Sequence, residues 1–382
     1  MPIPVPGAPR ASVRSSRLRA AVGVLAAGLL LSACGGGSTA APSSSAAPGS
    51  TSATTPASSA ASSTAAASSS AASSAPGSSS TAASSSAAVS AGYPVEIPNA
   101  FGTTTIASAP QRVVVVGYTE ADSVLALGTV PLAVQEFGFP GKIGGPWLDD
   151  LLQGQTPTVL TGQELNLEQI ASFTPDLIIG VNRALTADDY AALTAIAPTL
   201  ARPAEYPDYG VPPEAVARTV AQALDKGPEM EAKLAEVDQT ISAASVAHPE
   251  FAGKTFSAVW PRGDGQGWYA WTAVDARSRL LVALGLTESP TIAGLGQDTF
   301  YKEISAENTA QIDADVIVAI DVEGQRATIE ADPIYQSLPA VQAGHVAWIT
   351  DPAVIGAFSY SSVLSTPYAL DPVVEAVAAA TA

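Results

Sequence analysis

Asn166-Leu167-Glu168-Gln169-Ile170, followed at once by Phe173-Thr174-Pro175-Asp176-Leu177-Ile178-Ile179-Gly180, sets the architecture of this chain. Apolar spacing over Leu165–Ser172 predicts a helix, with Asn166 as a cap ahead of Glu168. Asp176–Gly180 is a short aliphatic run suited to a strand buried on both faces. Upstream, Arg112–Val116 reads as another such strand, Thr119–Leu127 as a helix stopped by Gly128, and Leu132–Gln135 as a short strand. Downstream, Thr186–Ile196 reads as a helix opened by Thr186, with acids in its first turn. Strand and helix alternate, so residues 93–211 form an α/β lobe with a mainly parallel sheet.

Pro212–Val246 carries the longest helical pattern, with Val216, Val220, Leu224, Met230, Leu234, Val237 and Ile241 spaced near three and four. Gly227-Pro228 should kink or break it. Beyond this connecting helix (212–247), alternation resumes in residues 248–382: strands at Thr255–Trp260, Val316–Ile320 and His345–Ile349, helices at Ala276–Leu284 and Pro372–Ala380. The expected fold is α/β, two lobes with mainly parallel sheets joined by one long helix, and a cleft between their strand ends.

The first 92 residues are of another kind. Residues 1–33 carry four arginines and no acid, and Ala20–Leu31 is apolar. Twelve helical residues rise about 18 Å, short of the ~30 Å hydrocarbon core, so the segment reads as a signal peptide. Leu31-Ser32-Ala33-Cys34 resembles a bacterial lipobox, which makes Cys34, the chain's only cysteine, the lipidation site. Residues 34–92 are uncharged and almost purely Ser, Ala, Thr, Gly and Pro, the composition of a disordered tether spanning roughly 40–45 Å. The expected location is therefore the extracytoplasmic face of the cell membrane, held through the Cys34 lipid.

The whole chain has a formal charge of −18, concentrated in residues 93–382. That excludes a nucleic-acid partner, which needs a basic face. One cysteine excludes an internal disulfide, and two histidines leave little for a metal site, so no metal ligands and no cofactor are expected. Enzyme signatures are missing as well. No Gly-x-Ser-x-Gly elbow occurs in the folded part. Gly138-Phe139-Pro140-Gly141-Lys142 has the wrong spacing for a phosphate loop, and Gly294-Leu295-Gly296 lacks the third glycine of a dinucleotide fingerprint. No catalytic residue is assigned.

Several segments resemble, in order, the periplasmic substrate-binding component of ABC importers for ferric siderophores, haem and cobalamin. They are Gly102–Thr105 with Ala109–Val113, Glu120–Gly128 with Pro131–Val134, the opening Asn166–Ile179 stretch, Tyr301–Glu307, Asp313–Val318 and Ala340–Val346. The resemblance implies a class III periplasmic-binding-protein fold, a monomer, and partnership with a permease and its ATPase. It favours a ferric siderophore as ligand, iron entering only within that chelate, with haem or cobalamin as the alternative. A further alternative is a non-transport envelope lipoprotein acting in assembly or signalling.

Such ligands call for aromatic walls and a few directional cations. Expected strand ends and the loops beyond them supply Tyr118, Arg183, Trp260, Arg262, Trp268, Tyr301 and Tyr360 as ligand-binding candidates. Three of the five tryptophans fall between residues 260 and 271, read as a Gly-rich loop, with Trp271 the one most suited to the core. The arginines could equally form solvated ion pairs. The resemblance also implies permease docking through one acid on each lobe, with Asp188 or Asp189 in the first and Glu323 or Glu330 in the second.

Overall fold

The structure, a computed structural model, describes residues 92–382. The signal peptide (1–33), Cys34 and nearly all of the tether lie outside the described residues.

An antiparallel hairpin, β1 (Val95–Asn99) with β2 (Gly102–Ile106), precedes the first lobe. That lobe's sheet contains β3 (Val113–Val115), β4 (Ala133–Gln135), β5 (Thr158–Leu160), β6 (Leu177–Gly180) and β7 (Thr199–Ala201). All pair in parallel, in the order β5-β4-β3-β6-β7. Every residue of β3 and β6 is buried, as strands sandwiched between helix layers must be. Side chains alternate by face: Val113, Val115, Leu177 and Ile179 enter one core, Val114 and Ile178 the other. The helix Leu167–Ser172 starts where expected, with Asn166 Oδ1 accepting the Gln169 N–H at 3.0 Å.

The second sheet is built from β8 (Thr255–Pro261), β9 (Gly267–Trp271), β10 (Thr287–Glu288), β11 (Tyr301–Ser305), β12 (Val316–Ile320) and β13 (Val346–Ile349), in the order β11-β9-β8-β12-β13 with β10 also on β8. β8, β12 and β13 are parallel, but β9 runs antiparallel to both β8 and β11. This sheet is therefore mixed. The stretch read as a Gly-rich loop is a β-hairpin instead. Gly265 supplies the positive φ of its turn, and the Arg262 N–H donates to Gly267 O at 2.9 Å.

The single connecting helix is also corrected. Two helices, Pro213–Ala223 and Gly227–Ala247, are separated at Leu224–Lys226, where Asp225 adopts φ 52°. Pro228 sits in the first turn of the second helix, where its missing N–H has no helical partner to lose. The first helix buries Val216, Val220 and Ala223 in the first lobe. The second, about 31 Å long, starts in that core at Met230 and Leu234 and packs Ile241 and Ala244 against the second lobe. The chain also crosses back: Val363 and Leu364, assigned to the second lobe by sequence, pack in the first lobe's core. No helix among the described residues is long and apolar enough to cross a membrane.

Candidate functional site

The carboxyl ends of the parallel strands in both sheets open onto one cleft. Tyr118 follows β3, Phe137 follows β4, Asn182 follows β6, Trp260 is the penultimate residue of β8 and Val322 follows β12. Tyr209 and Val211 close it from the connecting segment, and Ser359 and Tyr360 from the end of the helix Pro352–Tyr360. The walls enclose about 880 Å³, open mouth included. Tyr118 meets Phe137 at 5.3 Å between centroids, Phe137 meets Tyr360 at 5.3 Å, and Tyr209 meets Phe300 edge-on at 5.3 Å. These edge and tilted contacts join aromatic rings from the two sides of the cleft.

Of the ligand-binding candidates, Tyr118, Trp260, Tyr301 and Tyr360 line the cleft. Trp268 does not. In β9, Tyr269 and Trp271 share the cleft-side face while Trp268 and Ala270 point the other way, because successive strand residues alternate. Trp268 stacks on Tyr335 and donates its indole N–H to Thr309 Oγ1 at 3.1 Å in the far core. Its place is taken by Trp271.

Arg183 is likewise corrected. It is buried behind Tyr118, its guanidinium 5.3 Å from that ring's centroid, and donates to Val116 O at 2.8 Å, Gln135 Oε1 at 3.3 Å and Gln163 O. It supports the cleft wall rather than lining it. Arg262 sits on the rim, paired with Asp264 at 2.9 Å and Glu303 at 2.6 Å, the ion-pair alternative. Asp189 Oδ2 accepts from the Thr186 N–H and hydroxyl, capping the helix Ala187–Thr194, whereas Asp188 in the same turn is exposed. Glu323 lies in the loop after β12, and Glu330 is bound by Arg326 at 2.7 Å.

Sequence reading missed Phe137, Tyr209, Phe300 and the pair Asp275–Arg277. Phe137 had a usable signal, since it follows β4 as Tyr118 follows β3. Asp275 caps the helix Ala276–Ala283 and clasps Arg277 through both oxygens, at 2.8 and 2.7 Å. Arg277 also donates to Ser359 Oγ at 3.1 Å and lies 4.0 Å from the Trp271 ring centroid. Burial pushes Tyr209 up to about 12 and raises Tyr118, Tyr269 and Tyr301 as well, so these phenols stay protonated and can donate hydrogen bonds. Two acids lie fully buried behind the wall. Glu120 accepts the Asn182 N–H at 2.6 Å and Asp122 accepts the Trp147 indole N–H at 2.8 Å, and burial raises both carboxyls.

Residues 113–353, most of the described chain, match the family described as periplasmic binding protein. The chain belongs to the periplasmic binding protein family. This binding protein is 28% identical over 250 residues to the Fe(3+)-citrate-binding protein YfmC of Bacillus subtilis, covering 64% of this chain and 75% of that one. A solved periplasmic solute binding protein from Mycobacterium smegmatis is 32% identical, with a TM-score of 0.66 over 75% of this chain and 99% of that chain. Streptococcus pneumoniae PiaA in complex with ferrichrome is 26% identical, with a TM-score of 0.67 over 75% of this chain and 98% of that chain.

Proposed function

We propose that this periplasmic binding protein captures a ferric siderophore in the cleft between its lobes and delivers it to an ABC permease. The carrying observation is the cleft itself, at converging strand ends, walled by aromatic rings whose phenols remain donors. A relative named for Fe(3+)-citrate and a structural neighbour holding ferrichrome support the reading. Iron enters as cargo inside its chelate, so the polypeptide needs no cofactor of its own and performs no catalysis. The protein acts as a monomer tethered to the outer face of the membrane through Cys34. Asp188, at the start of the helix after β6, and Glu323, in the loop after β12, are the acids that meet permease cations.

Calorimetric titration of the full-length protein with iron-loaded and iron-free siderophores tests the ligand. Saturable binding of a ferric complex, absent with its iron-free form, is expected; binding of haem or cobalamin alone would overturn it. Cys34→Ser should move the protein from the membrane fraction to the medium, since the acyl chains supply the anchorage.

A further inference from the structure

We infer that the cleft selects ferric chelates carrying no net charge, of the trihydroxamate kind, and rejects polycarboxylate and catecholate complexes. This inference rests on the siderophore reading and specifies its ligand class. Its basis is that every base lining the cleft or its mouth, among the described residues, is already committed to a carboxylate of the same wall.

Arg277 is the base inside the cleft, and its side chain is only 12% exposed. Asp275 holds it through two oxygens, Ser359 takes another N–H, and the Trp271 indole covers its face. At the mouth, Arg202 is bound by Asp208 at 2.6 Å, and Lys302 by Asp298. Glu303, the remaining mouth acid, is taken by Arg262 at 2.6 Å. Each base is therefore matched by a carboxylate, and Arg262 serves two, Asp264 and Glu303, so no positive charge is left over.

An anionic chelate entering this space gives up water and meets no uncommitted cation. Pulling Arg277 toward itself would strand the Asp275 carboxylate in the same low-dielectric pocket, beside the incoming charge. A ferric trihydroxamate has no such problem, since three hydroxamate anions cancel the iron's charge within the ligand. Its carbonyl oxygens suit the protonated phenols of Tyr118, Tyr209 and Tyr301, and its carbon skeleton suits the ring faces. The relative named for ferric citrate marks the alternative that this charge arrangement disfavours.

The test is calorimetric titration of the full-length protein with ferrichrome, which is neutral, ferric dicitrate, which is anionic, and ferric enterobactin, a trianion. Ferrichrome should bind about 100-fold more tightly than either anion. Its affinity should change less than about threefold between roughly 50 and 500 mM NaCl. Asp275→Asn keeps a capping side chain but removes the clasping charge, and should raise affinity for ferric dicitrate by about tenfold. Tighter binding of either anion, or affinity falling steeply with salt, overturns the inference while leaving siderophore capture standing. Unchanged ferric dicitrate affinity in Asp275→Asn removes the arginine clasp as its cause. If no ferric chelate of any charge binds, siderophore capture itself falls, and the inference with it.

Discussion

Ser362 donates its hydroxyl to the carboxylate of Asp122 across 240 residues of chain. The contact joins the helix Glu120–Ala126, at the back of the first lobe's cleft wall, to the segment by which the chain returns from the second lobe. Trp147 donates to the same oxygen, while Asp122 Oδ1 is buried with no hydrogen-bond partner. Burial dominates these hydrogen bonds and pushes the Asp122 carboxyl up to about 7. Because this value lies above that of the unfolded chain, the folded state holds the proton more tightly. The resulting stabilisation is complete below about pH 4 and is lost as pH rises through about 7. Buried Glu120 is shifted in the same direction. The thermal midpoint should therefore fall between pH 5 and 8, and Asp122→Asn should flatten that slope. A slope unchanged in the variant would show that Asp122 does not carry the proton.

The two tryptophans of β9 should separate binding from folding. Trp271→Leu removes a cleft wall and the surface on which Arg277 lies, and should weaken ligand binding by about tenfold or more. Trp268→Leu opens a gap beside Tyr335 and orphans the Thr309 contact, costing roughly 2–4 kcal/mol of stability with binding retained. Urea denaturation and calorimetry on both variants read the two effects apart.

Gly267 has φ 128°, and a Cβ there would overlap the carbonyl oxygen of Ile304 on the paired strand β11. Backbone cannot yield as a flexible side chain would. Gly267→Ala should cost at least about 2 kcal/mol and, by spreading β9 from β11, misplace Tyr269 and Trp271. Thermal melts and ligand titration should report both losses together.

Charge reversal at the exposed acids tests permease docking. Asp188→Lys with Glu323→Lys should slow uptake into cells while leaving ligand affinity and melting temperature near their original values. Asp189→Ala should behave differently, losing about 1 kcal/mol because it breaks a capping box. Equal transport by the doubly reversed protein would remove these acids from the docking face.

Much of the scaffold was legible in the chain. The aliphatic runs at β3, β6 and β12, the caps Asn166 and Thr186, and a helix break just ahead of Gly227-Pro228 follow from local spacing and single-residue geometry. Tyr118 and Trp260 could be placed at the cleft because the ends of their strands are visible in sequence. Whether Trp268 or Trp271 faces the ligand could not be placed that way. It depends on β9 being a strand at all, and on the register that sets Trp260 opposite Tyr269.

The arginines show the same division. Sequence alone determined that few bases exist in an acidic, two-lobed α/β chain, because composition and strand–helix alternation are properties of neighbouring residues. Only the tertiary structure decided that Arg183 lies behind a tyrosine, that Arg262 is spent on the rim, and that Arg277 stands in the cleft with its charge already cancelled. Those outcomes depend on where carboxylates and carbonyls from distant segments converge, and no local pattern encodes that.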